Sequence, residues 1–167
     1  KMNQLVDKAC IQALYLASIA GVRIRLQVRG ICCLRPGVPG VSDNITVTSV
    51  VGRFLEHVRI FFFHNGGDEE LLIGSADLMP RNLDRRIEIL VPIRDPEIRK
   101  TIRDDILKIH LADNAKSRRL LEDGTYVRVL PEKGEPVVDS QRLMMNRAAG
   151  YNPVRGEEEK RHEQLRF

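Results

Sequence analysis

Two side chains in this sequence combine a useful chemistry with a useful position, Arg29 and His57. Arg29 closes a run in which Val22, Ile24, Leu26 and Val28 alternate with Arg23, Arg25, Gln27 and Arg29, the period-two pattern of a strand with one apolar face. Directly after it come Gly30, Pro36, Gly37, Pro39 and Gly40, too many breakers for a regular element, which predicts a loop over residues 30–44. Open α/β sheets present ligand-binding groups at the C-terminal ends of their strands. A guanidinium there can clamp a phosphate, with glycine amides approaching the same oxygens and Arg35 adding a second fork-shaped donor. Composition alone favours the competing reading, an exposed strand-end arginine beside an ordinary loop.

His57 precedes an apolar run, residues 58–63, and alternation sets His57 and Arg59 on one face with Val58, Ile60 and Phe62 on the other. A titratable imidazole beside a fixed cation is the pairing that lets a histidine deliver a proton to a phosphoryl oxygen. A partly buried structural histidine is the rival reading. His64 sits in a turn, where capping or orienting suits it better than reaction; His110 and His162 read as a helix-surface and a tail residue without partners. A third cluster follows, Gly74-Ser75-Ala76-Asp77 and then Arg81, Arg85 and Arg86 around Asp84. Three arginines within six positions make a strong anion site, yet Asp77 and Asp84 could equally neutralise them as ion pairs. The sequence leaves these two readings level.

The elements that must carry these groups alternate between helical and strand periods. Residues 5–20 place Leu5, Val6, Ala9, Cys10, Ala13, Leu14 and Ala17 at spacings of three and four, a helix with Asn3 as N-cap and Gly21 as its stop. Strands are predicted over residues 22–28, 45–51, 58–63, 71–74, 86–91 and 125–130, all rich in Val, Ile, Phe or Leu. The His64-Asn65-Gly66-Gly67-Asp68 segment has hairpin chemistry, so the flanking pair is antiparallel and the sheet mixed. Asp95 and Pro96 open a second helix with Ile98, Ile102, Ile106 and Ile109 on one stripe, ending near Asn114; Asp139 caps a short third one through Met145. The expected fold is α/β, a mixed sheet flanked by helices over residues 1–150, with a charged tail over residues 151–167.

The chain has 167 residues, 43% of them hydrophobic and 30% charged, enough for one soluble domain with its own core. It opens on Lys1 and runs straight into a helical pattern, the expectation being a piece of a longer protein. No apolar run reaches the ~18–20 residues of a membrane span. Cys10, Cys32 and Cys33 lack zinc-type spacing, and the adjacent pair is poorly placed to bridge, which points to a reducing cytoplasm. The net charge of +4 is interspersed, so it implies only solubility and mild attraction to polyanions.

Five strings carry a resemblance. They are Lys1-Met2-Asn3-Gln4-Leu5-Val6-Asp7, Val28-Arg29-Gly30-Ile31-Cys32-Cys33-Leu34-Arg35-Pro36-Gly37, Gly52-Arg53-Phe54-Leu55-Glu56-His57, Phe63-His64-Asn65-Gly66-Gly67-Asp68, and the stretch 73–86. Together they closely resemble the last domain of the bacterial polyphosphate kinases, densely over residues 1–93 and more loosely to about Gly150. The resemblance implies a phospholipase D-like fold and a magnesium-dependent transfer of the ATP γ-phosphate, reversibly, onto inorganic polyphosphate through a phosphohistidine. In such enzymes two similar half-domains face each other. Arg29 matches an ATP-phosphate ligand and His57 the second histidine, catalytic and phosphate-contacting; Arg35, Arg59, Arg81, Arg85 and Arg86 are the further phosphate-binding candidates. The nucleophile is expected upstream, since no histidine precedes His57, and the Mg2+ ligands outside this stretch of chain. The implied partners are ATP or ADP, polyphosphate and the rest of a homo-oligomeric kinase chain, without nucleic acid, in the cytoplasm or peripheral to the inner membrane.

The chain departs from the wider phospholipase D pattern. Arg59 replaces the lysine of His-x-Lys, His64 stands at the aspartate position, and Asp77 takes the asparagine place in Gly74-Ser75-Ala76-Asp77. This favours the kinase branch and leaves no ready role for His64 or Asp77. The rivals are half of a phospholipase D-like phosphodiesterase and a non-catalytic polyanion-binding module. Five per cent aromatic residues argue against a base-stacking platform.

Overall fold

A computed structural model describes residues 1–150. The sheet divides in two. Strands β1 (Ile24–Gln27), β2 (Ile45–Val50), β6 (Ser117–Leu120) and β7 (Tyr126–Arg128) form a four-stranded mixed sheet in the order β1-β2-β6-β7, parallel only between β1 and β2. Strands β3 (Ile60–Phe63), β4 (Glu70–Gly74) and β5 (Leu90–Pro92) make a separate antiparallel sheet. The α/β class with a mixed sheet and flanking helices therefore holds, but one expected sheet is two, because the far neighbour of β2 is β6 rather than β3. The Asn/Gly hairpin is present: β3 pairs with β4 across a 3-10 turn, Asn65–Gly67, in which Asn65 and both glycines have positive φ.

Helix α1 (Lys8–Ile19) starts later than its apolar pattern suggested. Asp7, not Asn3, is the N-cap, its Oδ1 accepting the Cys10 N–H at 2.8 Å. Residues 1–5 are instead an extended strip, bridging Met2 to Val28 and Leu5 to both Cys32 and Leu78. The buried side of α1 is Ile11 and Ser18, with Leu14 and Tyr15 partly buried, while Ala9 and Ala13 face solvent. Alanine and cysteine gave the wrong stripe because they bury little area whichever way they point. The helix, the strip and β1, β2 and β6 share one core of Met2, Leu5, Ile11, Leu26, Val28, Leu34, Ile45, Val47 and Leu120.

A second core gathers Ile60, Leu71 and Leu107 with Phe62, Ile73, Ile93, Ile102 and Ile106. It lies under a continuous helical stretch: α3 (Pro96–Lys100), a π-helical turn (Thr101–Leu107) and α4 (Lys108–Leu111). Asp95 caps it, accepting from the Glu97 and Ile98 N–H groups at 2.9 Å. The stripe holds at Ile102 and Ile106, whereas Ile98 is exposed. The Gln27 and Arg25 side chains of β1 donate to the His110 and Leu111 carbonyls, at 2.8 and 2.7 Å, tying the helical stretch to the larger sheet. Short helix α2 (Pro80–Asp84) and α5 (Ser140–Ala148, capped by Asp139) complete the fold. Among the described residues, no helix is long and apolar enough to cross a membrane, and all three cysteines are free.

Candidate functional site

The strip at residues 1–3 joins the two segments that carry Arg29 and His57. On one side the Arg29 N–H donates to the Met2 carbonyl (3.2 Å) and the Gly30 N–H to that of Asn3 (2.8 Å). On the other, the Ile60 N–H donates to the Lys1 carbonyl at 2.8 Å. Arg29 thus leaves the end of β1 half-buried, its carbonyl accepting from Ser49 Oγ (3.0 Å). Its positive charge reaches the Lys1 ammonium, which binds Glu56 Oε2 at 2.6 Å, and Glu56 is the immediate neighbour of His57.

Residues 51–59 run between the sheets without a strand ladder, and His57 within them is exposed. What holds this segment is polar. Gln141, from α5, accepts the Phe54 N–H (2.9 Å) and donates to the Phe54 carbonyl (2.8 Å) and Glu56 Oε1 (2.6 Å). The Arg59 Nη1 donates to the His57 carbonyl at 3.1 Å. Asn3, in the amide orientation its neighbours demand, donates to the Glu56 carbonyl and accepts from Arg59 Nη2, both at 2.6 Å. Burial pushes the Glu56 carboxyl up, but bonds from Lys1 and Gln141 outweigh it and hold the carboxyl below its ordinary range. Burial lowers the Lys1 ammonium, with Glu56 opposing the shift and Arg29 adding to it.

Arg59 does not stand beside the imidazole as a free cation. Its guanidinium is sunk against Asp77, with Nε 3.2 Å from Oδ1 and Nη2 3.1 Å from Oδ2. Asp77, 4% exposed, also accepts the Asn3 N–H at 2.7 Å; burial raises its carboxyl, and Arg59 and these amides bring it below the usual value. Asp77 in the Gly74-Ser75-Ala76-Asp77 motif therefore neutralises Arg59 rather than the arginines that follow it. The rest of the motif fixes the β4–β5 contact: a Cβ on Gly74 would collide with the Ile89 carbonyl oxygen, and Ser75 Oγ hydrogen-bonds Glu88 and accepts the Ile89 N–H. Arg81, Arg85 and Arg86 are exposed on and after α2; Arg86 lies 3.7 Å from Glu88, which also feels Arg59, so this cluster adjoins the His57 segment through Glu88. Neither Asp77 nor Asp84 forms an ion pair with them among the described residues. Arg35 stands apart, its charge acting on Asp123 and its N–H donating to Tyr15 Oη at 2.9 Å.

His110 is a correction. It is buried at 6% exposure, not on a helix surface, with Nδ1 3.8 Å from Glu56 Oε2. Burial and the Lys1 charge hold it below its ordinary value, so it is the neutral floor of the Lys1–Glu56 pair. His64 makes no side-chain cap bond, and His162 lies outside the described residues. Sequence reasoning missed Glu56, Gln141 and Lys1 altogether. Only the fold brings residues 55 and 85 positions apart together. Among the described residues no three His, Cys, Asp or Glu side chains group as a metal site.

Comparison with known proteins places the fold in a family. The family model described as polyphosphate kinase C-terminal domain 2 matches residues 1–141. The chain is 54% identical over 155 residues to a polyphosphate kinase of Rhodopirellula baltica, covering 90% of this chain and 18% of that protein. It is 56% identical over 148 residues to one from Synechocystis, covering 89% and 20%. The crystal structure of polyphosphate kinase from Porphyromonas gingivalis superposes with a TM-score of 0.80 at 48% identity, over 95% of this chain and 23% of that one. The chain spans about a fifth of the length of these relatives. Matched over most of its length, with Arg29 and His57 inside the matched region, the chain belongs to the polyphosphate kinase C-terminal domain 2 family.

Proposed function

We propose that this domain is one half of a phosphoryl-transfer site in a polyphosphate kinase that moves the ATP γ-phosphate reversibly onto inorganic polyphosphate. Arg29 binds and neutralises nucleotide phosphates, and His57 gives or takes a proton at the transferred phosphoryl group. Arg81, Arg85 and Arg86 add positive charge beside it. The phosphohistidine and the magnesium ligands belong to other parts of the kinase chain. Positioning and charge neutralisation are most of what phosphoryl transfer requires. The observation that carries this reading is that an exposed imidazole sits on a segment whose backbone is held by four hydrogen bonds from the side chains of Gln141, Asn3 and Arg59, and the Lys1–Asn3 strip ties that segment to Arg29.

The test is steady-state kinetics of the full-length kinase in both directions. His57→Ala is expected to cut both synthesis and reverse ATP formation by about 100-fold or more, the scale of a lost acid–base group. Arg29→Ala is expected to raise the Michaelis constant for ATP. Near-normal turnover by the first variant, or an unchanged Michaelis constant and turnover in the second, would overturn the respective role.

A further inference from the structure

We propose that Gln141 is the positioning residue for His57, and that α5 exists in this domain partly to deliver it. This rests on the reading of His57 given above. The segment of residues 51–59 has little apolar burial to hold it: Phe54, Leu55 and Val58 are 48%, 72% and 49% exposed. Only its ends take part in backbone pairing, the Val51 N–H with the Lys116 carbonyl and the Arg59 carbonyl with the Gly74 N–H; residues 52–58 have no strand partner. Its order comes from side chains that reach it from far along the chain, and Gln141 supplies the largest share. One carboxamide, 6% exposed, satisfies both backbone groups of Phe54 and restrains the Glu56 carboxylate, three hydrogen bonds across 85 to 87 positions of sequence. A planar amide donating and accepting against one residue's N–H and C=O copies a strand's pairing at that single position.

Two further observations set Gln141 apart from ordinary packing. Docking of α5 is already secured one residue earlier, where Ser140 donates from both N and Oγ to Asp113 Oδ2 at 2.8 and 2.6 Å. Gln141 is therefore free to act on the His57 segment alone. At Gly52 the structure keeps space for it: a Cβ there would overlap the Gln141 Oε1 and Cδ atoms. Two segment ends thus converge on one carboxamide, and the first reactive side chain beyond it is His57.

The test uses full-length polyphosphate kinase carrying this domain, with Gln141→Glu and, separately, Gly52→Ala. The first is close in shape but cannot donate to Phe54, and it sets a second carboxylate against Glu56. The second displaces the carboxamide while leaving Gln141 in place. Each is expected to lower kcat by about 10- to 100-fold, the scale of a misplacement near 1 Å, with the Michaelis constant for ATP within about twofold because Arg29 is untouched. Turnover within about twofold of the parent in both single variants, while His57→Ala is inactive, overturns the role of Gln141 and leaves that of His57 standing. A fall in activity that tracks only the fraction of folded protein, with kcat per folded molecule unchanged, overturns it as well. An active His57→Ala enzyme would remove the functional reading instead.

Discussion

The two irregular segments that flank β2 are built in opposite ways. The loop of residues 30–44 closes on itself: Ser42 Oγ donates to the Arg35 carbonyl (2.8 Å) and accepts the Val38 N–H (2.9 Å), and Gly40 N–H reaches Asp43 Oδ2 at 2.7 Å. Gly37 and Gly40 take positive φ there, which their lack of a Cβ allows. The bonds within residues 35–43 span seven residues or fewer, while the Arg35 N–H and the two ends of the loop reach Tyr15, Asn3, Leu5 and Ser18. The segment of residues 51–59 has almost no local bonds and depends on Lys1, Asn3, Asp77 and Gln141, all distant in sequence. A loop of the first kind is a local object that tolerates change elsewhere. One of the second kind reports on the whole fold, and an acid–base group placed on it inherits the precision, and the fragility, of every partner.

The sharpest way to break the contrast is Asp77→Ala. It leaves the Arg59 guanidinium, 12% exposed, without a counter-ion and the Asn3 N–H without an acceptor. A loss of about 3–5 kcal/mol is expected, the usual cost of orphaning one member of a buried ion pair. Urea denaturation of the 167-residue chain would measure it. A loss under about 1 kcal/mol would mean that Arg59 swings into water, and that the His57 carbonyl is not held through this pair.

Next in size is the dependence on pH, again confined to the distant-contact segment. His110 is held below its ordinary value by burial and by Lys1, with Glu56 and Asp113 opposing. The unfolded chain then binds a proton more readily than the folded one, so stability is full above about pH 6.5 and falls as acid is added below it. Glu56 and Asp77, both depressed, extend the decline below about pH 4.5. His110→Gln is expected to flatten the upper part of this slope, to which the buried Lys1 α-ammonium, pushed down to about 5, also contributes, and to leave the lower part. An unchanged slope between about pH 6.5 and 5 would show that His110 protonates freely in the fold.

The same division explains what was legible in the sequence. The Gly/Pro loop, the Asn65-Gly66-Gly67 hairpin, the Asp95-Pro96 helix start and most strands announce themselves through local chemistry, and these are present. Strand β6 was missed because Arg118 and Arg119 sit between its buried ends Ser117 and Leu120, which breaks strict alternation. Arg29 and His57 could be singled out as positions, since a strand end and a pre-strand histidine can be read along the chain. Their supports could not be, because Gln141 near the start of a polar nine-residue helix has no periodic signal that points to Phe54. The extended strip of residues 1–5 was absorbed into a helix for a similar reason: Leu5 and Val6 fit the helical spacing, and only tertiary pairing to Val28, Cys32 and Leu78 draws them out of it.

The smallest effect belongs to the self-contained loop, and its smallness is the point. Ser42→Ala removes one donor and one acceptor from a fully buried hydroxyl, so the Arg35 carbonyl and Val38 N–H lose their partner. The cost should be about 1 kcal/mol, because both groups lie near enough to the surface for water to replace part of what is lost. The change should also stay where it is made. Arg29 takes its bonds from Met2 and Ser49, and the His57 segment takes none from residues 30–44, so neither should move. Backbone amide shifts in the 167-residue chain would decide it: perturbations confined to residues near 35–45 support a locally closed loop. Shifts that reach Phe54, Glu56 or His57 would show instead that the two segments are coupled through β2, and the contrast between them would dissolve.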